Sequence, residues 1–149
     1  MTPQVDCNTE PDMALVVYTG ATDLAWLRLL RPGFRHCFVV LRRGGAWIAV
    51  DPLAHVTRLD LVAGSLARDA EVVAGAYRAH GVVVDVVRVQ DPPKRLAPIR
   101  PYSCVEAVKR LIGRPAPWVM TPWQLHRLLE KENKNIKQES ILDMEARLA

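Results

Sequence analysis

Cysteine is scarce in this chain: three in 149 residues, at positions 7, 37 and 104. An odd number at irregular spacing cannot frame a disulfide-stapled fold. It implies a reducing compartment, or a protein that does not depend on bridges. No Cys-x-x-Cys and no His-Glu-x-x-His occurs, and the other potential ligands are scattered, so no metal and no cofactor is expected. Gly44-Gly45 is not followed by Gly-Lys-Ser/Thr, which removes a phosphate loop. Long apolar runs are missing too. The longest, near 24–30 and 82–89, are far too short to span a bilayer. Asp6, Glu10 and Asp12 precede any apolar run, so the start does not read as a signal peptide. Localisation is otherwise left open. Aromatics make up only 6% of the chain, and the net charge of +4 is too small to argue for nucleic acid. The densest basic stretch, Lys94, Arg95 and Arg100, is broken by prolines and has a single aromatic nearby, Tyr102; it reads as a solvated loop. There is no internal repeat and no low-complexity tract.

What is present suits one α+β domain. Half of the residues are hydrophobic, enough for a core in a chain of this length. The eleven prolines cluster mostly at 92–101 and 115–122, where they punctuate the chain. Residues 1–12 read as a flexible arm, 13–131 as the domain and 132–149 as a polar tail, with a weak amphipathic helix over 139–148. Ala14 to Tyr18 reads as a strand and Thr22 to Leu30 as a helix stopped by Pro32-Gly33. Arg35 to Leu41 and Ala46 to Asp51 are strand-like runs joined by Arg42-Arg43-Gly44-Gly45, a hairpin signature. His55 to Val62 reads as a third strand with imperfect alternation. Asp69 to His80 is predicted helical, with Asp69 as N-cap and Gly81 as stop, and Val82 to Val89 as a largely buried strand. Helices are predicted from Cys104 to Ile112 and from Pro122 to about Lys131. Thr121, Pro122 and Gln124 sign the start of the second of these; Trp123 and Gln124 could line a cleft, although capping and packing account for both.

Ser103-Cys104-Val105-Glu106 fits a capping box, which sets Cys104 at the first helical position. A helix N-terminus presents free amides and partial positive charge. Both favour a thiolate, and the same amides can hold an oxyanion. Such a nucleophile needs a base within reach. Of four histidines, His80 reads as a helix C-cap, His126 as a surface residue and His55 as unassigned. His36 opens an otherwise apolar strand. With a Arg43-Gly44 loop, His36 faces Asp51 at about 5 Å between Cβ atoms. With a Gly44-Gly45 loop, Asp51 sits diagonal to it on the same side; a three-residue loop puts Asp51 on the opposite face. An Asp beside the ring would fix its tautomer and stabilise the imidazolium. Cys37, the neighbour of His36, should point to the other face and pack in the core.

A His and a polar residue on a hairpin, followed by a Cys that opens a helix, resembles the circularly permuted papain-like superfamily. That group includes permuted NlpC-type peptidases and lecithin:retinol acyltransferase-like proteins. The resemblance runs from about Val16 to Gly113. It implies a central antiparallel sheet packed against the Cys-bearing helix. It also implies a Cys104 thiolate, a His36 base and an orienting Asp51. Tyr102 and Ser103, beside the cysteine in sequence, are oxyanion or auxiliary candidates. Ser103-Cys104-Val105-Glu106-Ala107 departs from the Asn-Cys-Glu-His-Phe of the acyltransferase branch. The expected function is therefore a cysteine amidase or peptidase acting on a peptide or amide through an acyl-enzyme. The competing expectation is a non-enzymatic interaction module of a larger assembly, such as a phage virion, with 1–12 and 132–149 as partner-binding arms.

Overall fold

The computed structural model describes residues 13–22, 24–62, 69–91 and 102–148. The flexible arm assigned to 1–12 and most of the proline-rich connector, with Lys94, Arg95 and Arg100, lie outside the described residues. Five antiparallel strands form one sheet: β1 (Met13–Thr19), β2 (His36–Arg43), β3 (Ala46–Pro52), β4 (Thr57–Leu61) and β5 (Val83–Arg88), in the order β4-β3-β2-β1-β5. The helices are α1 (Ala70–Arg78), α2 (Cys104–Leu111) and α3 (Pro122–Leu148).

The apolar run of β1 follows from its place. It lies between β2 and β5, and both of its faces are covered. Ala14, Val16 and Tyr18 join Cys37, Val39 and Leu41 in a core shared with α2 and α3. Leu15 and Val17 join Val40, Trp47 and Val84 under α1. A strand covered on both sides has no need of polar alternation. By contrast β4 is a sheet edge with every residue exposed, which explains its imperfect pattern.

The β2–β3 turn is the two-residue Gly44-Gly45 loop. Both glycines have positive φ, 56° and 81°, as the tight hairpin demands. Val39 pairs with Val50, which leaves Asp51 diagonal to His36.

Two helical expectations change. The segment expected to be helical over Thr22–Leu30 forms only a 3₁₀ helix, Ala25–Leu29, with none of its residues buried. The Thr22 hydroxyl bonds the backbone N–H and C=O of Leu24, and Pro32 follows too soon for a stable α-helix. Nor is there a break near 131. The polar tail from 132 and the separate helix over 139–148 are instead parts of the single 27-residue α3. No Gly or Pro interrupts it after Pro122, and Glu130–Lys134 and Asp143–Arg147 pairs support its exposed face. Arg114 to Glu132 at 2.8 Å and Asn133 to the Val86 carbonyl at 3.2 Å tie its first half to the body. Among the described residues, no helix is long and apolar enough to cross a membrane.

Candidate active site

Cys104 is the first residue of α2, as its sequence context predicts. Ser103 is the N-cap, and its Oγ accepts from the Glu106 N–H at 3.2 Å. The capping box is only half made. The Glu106 carboxylate turns away to Lys109 at 2.9 Å and Arg110 at 3.0 Å. Lys109 is itself buried and donates to the carbonyls of Ala116 (2.9 Å) and Val119 (3.0 Å). This cation therefore fastens the end of α2 to the loop that leads into α3. At that loop's far end the capping box is complete. Gln124 N–H donates to Thr121 Oγ1, and Gln124 Oε1 accepts from Thr121 N–H.

His36 and Asp51 meet directly: Nε2 to Oδ1 is 2.6 Å, with side chains 14% and 31% exposed. Cys104 is the second group that bears on the imidazole. Burial pushes the His36 pKa down, but hydrogen bonds to Cys104 and Asp51, with their charges, more than offset it, and the net shift is upward. The Cys104 thiol moves the opposite way, down to about 4. The largest cause is a hydrogen bond from the Cys37 side chain; burial opposes it, and His36 and the Cys37 backbone N–H add to it. Both shifts run towards the charged forms, thiolate and imidazolium, with the Asp51 carboxylate bonded to the ring and the sulfur half-buried.

Cys37 is fully buried, as a packed residue should be, and strand alternation puts it on the α2 face with Phe38 on the α1 face. Cys104 packs against the same core cluster. A hydrogen bond to Cys104, burial and the Cys104 charge, in that order, raise the Cys37 thiol well above the ordinary range.

The auxiliary candidates find other partners. Tyr102 is 63% exposed, with the Arg110 guanidinium 5.9 Å from its ring. Ser103 Oγ is committed to capping. His80 caps α1 through the Ala76 carbonyl at 2.8 Å. His126 is not a surface residue. It is half-buried, bonds Asp85 at 2.9 Å, and stacks among Tyr18, Phe34 and Trp123. Its position on the buried side of α3, one step from Leu125, accounts for this.

A cleft of about 260 Å³ opens beside the His36–Asp51 pair, walled by Leu24, Leu27, Phe38 and Leu53, with Thr19, Thr22 and the exposed His55 among its polar members. A larger groove of about 480 Å³ runs along α3 past Trp118, Trp123 and Gln124, and none of the three candidate residues lines it. Among the described residues, no group of three or more His, Cys, Asp and Glu is arranged to hold a metal ion. Compared with protein-family models, curated proteins and solved structures, the chain matches none. Any function must be argued from this geometry.

Proposed function

We propose that the protein is a cysteine hydrolase that cleaves an amide or peptide bond through an acyl-enzyme. The observation that carries the reading is the 2.6 Å His36–Asp51 pair together with Cys104 at the start of α2, whose thiol is shifted down and whose imidazole neighbour is shifted up. In the first step the Cys104 thiolate attacks the substrate carbonyl carbon. The His36 imidazolium then gives its proton to the leaving amine as the C–N bond breaks. In the second, neutral His36 takes a proton from water, which attacks the thioester and releases the acid. Asp51 bonds Nε2, so Nδ1 is the nitrogen that faces the sulfur, and Asp51 supports the cationic ring. The hairpin-then-Cys-helix order, and the packing of α2 on β2, support a permuted papain-like arrangement.

An activated ester tests this reading directly. With p-nitrophenyl acetate, a burst of nitrophenol stoichiometric with protein should leave an acetyl group on Cys104, seen by peptide mass spectrometry. Cys104→Ala should abolish the burst and His36→Ala should slow turnover of the adduct. No burst, or a burst that survives loss of Cys104, overturns the proposal.

One observation favours a second reading, a non-enzymatic interaction module. The distal half of α3 leaves Ile136, Ile141, Leu142, Met144 and Leu148 more than half exposed. A chain with no burst that elutes as a defined oligomer would support it.

A further inference from the structure

We propose that the cleft beside His36 and Asp51 is a leaving-group subsite, which takes one apolar side chain of the amine that departs when the scissile amide breaks. The inference rests on the reading of Cys104 as the nucleophile. The cleft holds about 260 Å³. Pockets for whole drug-sized ligands run to about 300–1,000 Å³, so this one suits a single side chain. Its place tells which side of the bond it serves. His36, Phe38 and Asp51 line it, and Cys104 does not. Phe38 packs with the core under α1, whereas Cys104 packs with the core shared by α2 and α3. The cleft thus adjoins the base and not the sulfur. In the acyl-enzyme the acyl part of a substrate is bonded to that sulfur, while the departing amine takes its proton from His36. A group seated in the cleft therefore belongs to the amine.

The lining sets the chemical class. Leu24 and Leu27 come from the 3₁₀ segment, Phe38 from β2 and Leu53 from just after β3; all four are half-buried. The two threonines of the wall have their hydroxyls engaged locally. Thr19 Oγ1 accepts from the Ala21 N–H at 3.1 Å, and Thr22 Oγ1 bonds the Leu24 N–H at 3.2 Å and the Leu24 carbonyl at 3.3 Å. The Asp51 carboxylate is taken by His36 at 2.6 Å. Among the described residues that leaves His55, which is exposed, as the polar lining side chain without a partner. A charged or amide side chain in the cleft would lose water and find few groups to replace it. A leucine-sized aliphatic one gains by leaving water.

Acyl transfer to added amines tests this in the full chain. The acetyl-enzyme formed from p-nitrophenyl acetate is offered glycinamide, leucinamide, asparaginamide or argininamide at about pH 8, where roughly half of an α-amine is free base. The amine attacks the thioester carbonyl: the C–N bond forms, the C–S bond breaks, the proton passes to His36 and the thiolate returns on Cys104. This step reverses amine departure, so the acceptor occupies the leaving-group subsite. Mass spectrometry of the N-acetyl amide relative to acetate gives a partition ratio that does not depend on burst size. Leucinamide should be acetylated at least about tenfold better than glycinamide, the low end for burying an aliphatic side chain, and asparaginamide and argininamide no better than glycinamide. Leu27→Asp should bring leucinamide down to the glycinamide level; Leu53→Asp should do so from the other wall and decides the matter if the first variant does not fold. Capture of none of the amides, equal capture of leucinamide and glycinamide, a preference for asparaginamide or argininamide, or a leucinamide preference that survives the substitutions overturns this inference and leaves the nucleophile standing. A wild-type protein that gives no burst overturns both.

Discussion

A depressed thiol pKa has two opposing effects on reactivity, and together they give a crossing point that can be measured. With Cys104 titrating at about 4, its sulfur is almost wholly thiolate at pH 5 and above. An unperturbed cysteine, at about 8.5, holds only about 0.03% thiolate at pH 5 and about a quarter at pH 8. Ionisation alone would favour Cys104 roughly 3,000-fold at pH 5 and about fourfold at pH 8. Yet a less basic thiolate is a poorer nucleophile, with a slope of about 0.4–0.5 per pKa unit; a gap of about 4.5 units costs roughly a hundredfold. The net expectation is that Cys104 alkylates about 30 times faster than a free cysteine peptide at pH 5 and about 25 times slower at pH 8, with a crossing near pH 6.5. The assay is competitive labelling of the folded protein and a reference peptide with iodoacetamide at half-unit steps of pH. The Cys104 rate should be flat over this range. His36→Ala removes a hydrogen bond and a positive charge from the sulfur, so its profile should regain a slope on the acid side. A wild-type rate that climbs about tenfold per unit from pH 5 to pH 8, in parallel with the peptide, would refute the ion pair.

Two further substitutions and a truncation probe the frame around the site. Lys109→Met should cost about 3 kcal/mol in urea unfolding, because the Ala116 and Val119 carbonyls and the Glu106 carboxylate each lose a buried partner. Gly113→Ala should cost more than about 3 kcal/mol or prevent folding: φ is +73° and the added Cβ would lie 1.8 Å from the Gln90 carbonyl oxygen. Ending the chain after Asn135 should change stability by less than about 0.5 kcal/mol, since the side chains of 136–148 are exposed; a larger loss of melting temperature would show that the distal half of α3 is packed against something.

The sequence made the site's local parts legible and left its long-range pairings open. Ser103 and Glu106 flank a helix start whichever way Glu106 later turns, so the position of Cys104 could be read. Gly44-Gly45 allowed two registers that bring Asp51 to His36, and the observed Val39–Val50 pairing is one of them. Period-two alternation along β2 sent Cys37 to the core, where it lies fully buried. His126 escaped. Arg127 beside it suggested a solvated face, but the buried positions Leu125 and Leu129 turn the helix so that residue 126 meets Asp85 on a strand 41 residues away. The continuity of α3 beyond Lys131 could not be read from apolar periodicity, because that half of the helix buries nothing among the described residues.

The Asp85–His126 pair yields a prediction whose sign runs against the usual expectation for a buried ion pair. Asp85 is 8% exposed, and burial raises its carboxyl pKa; the His126 bond at 2.9 Å lowers it again but does not fully offset the burial. A carboxyl with a raised folded pKa favours the fold in its protonated form. That contribution is fully present below the unfolded pKa and is lost as pH rises through the folded one. Asp85→Asn removes the titration, while its amide oxygen can still accept from the His126 ring. The variant should therefore gain stability relative to wild type as pH rises from about 3 to about 7, the range that spans the carboxyl's titration. Urea unfolding of both proteins at several pH values reads the difference directly. If wild type instead gains on the variant over that interval, the His126 pairing outweighs the desolvation of the carboxylate, and the cluster behind Tyr18 is held together by charge and not merely by packing.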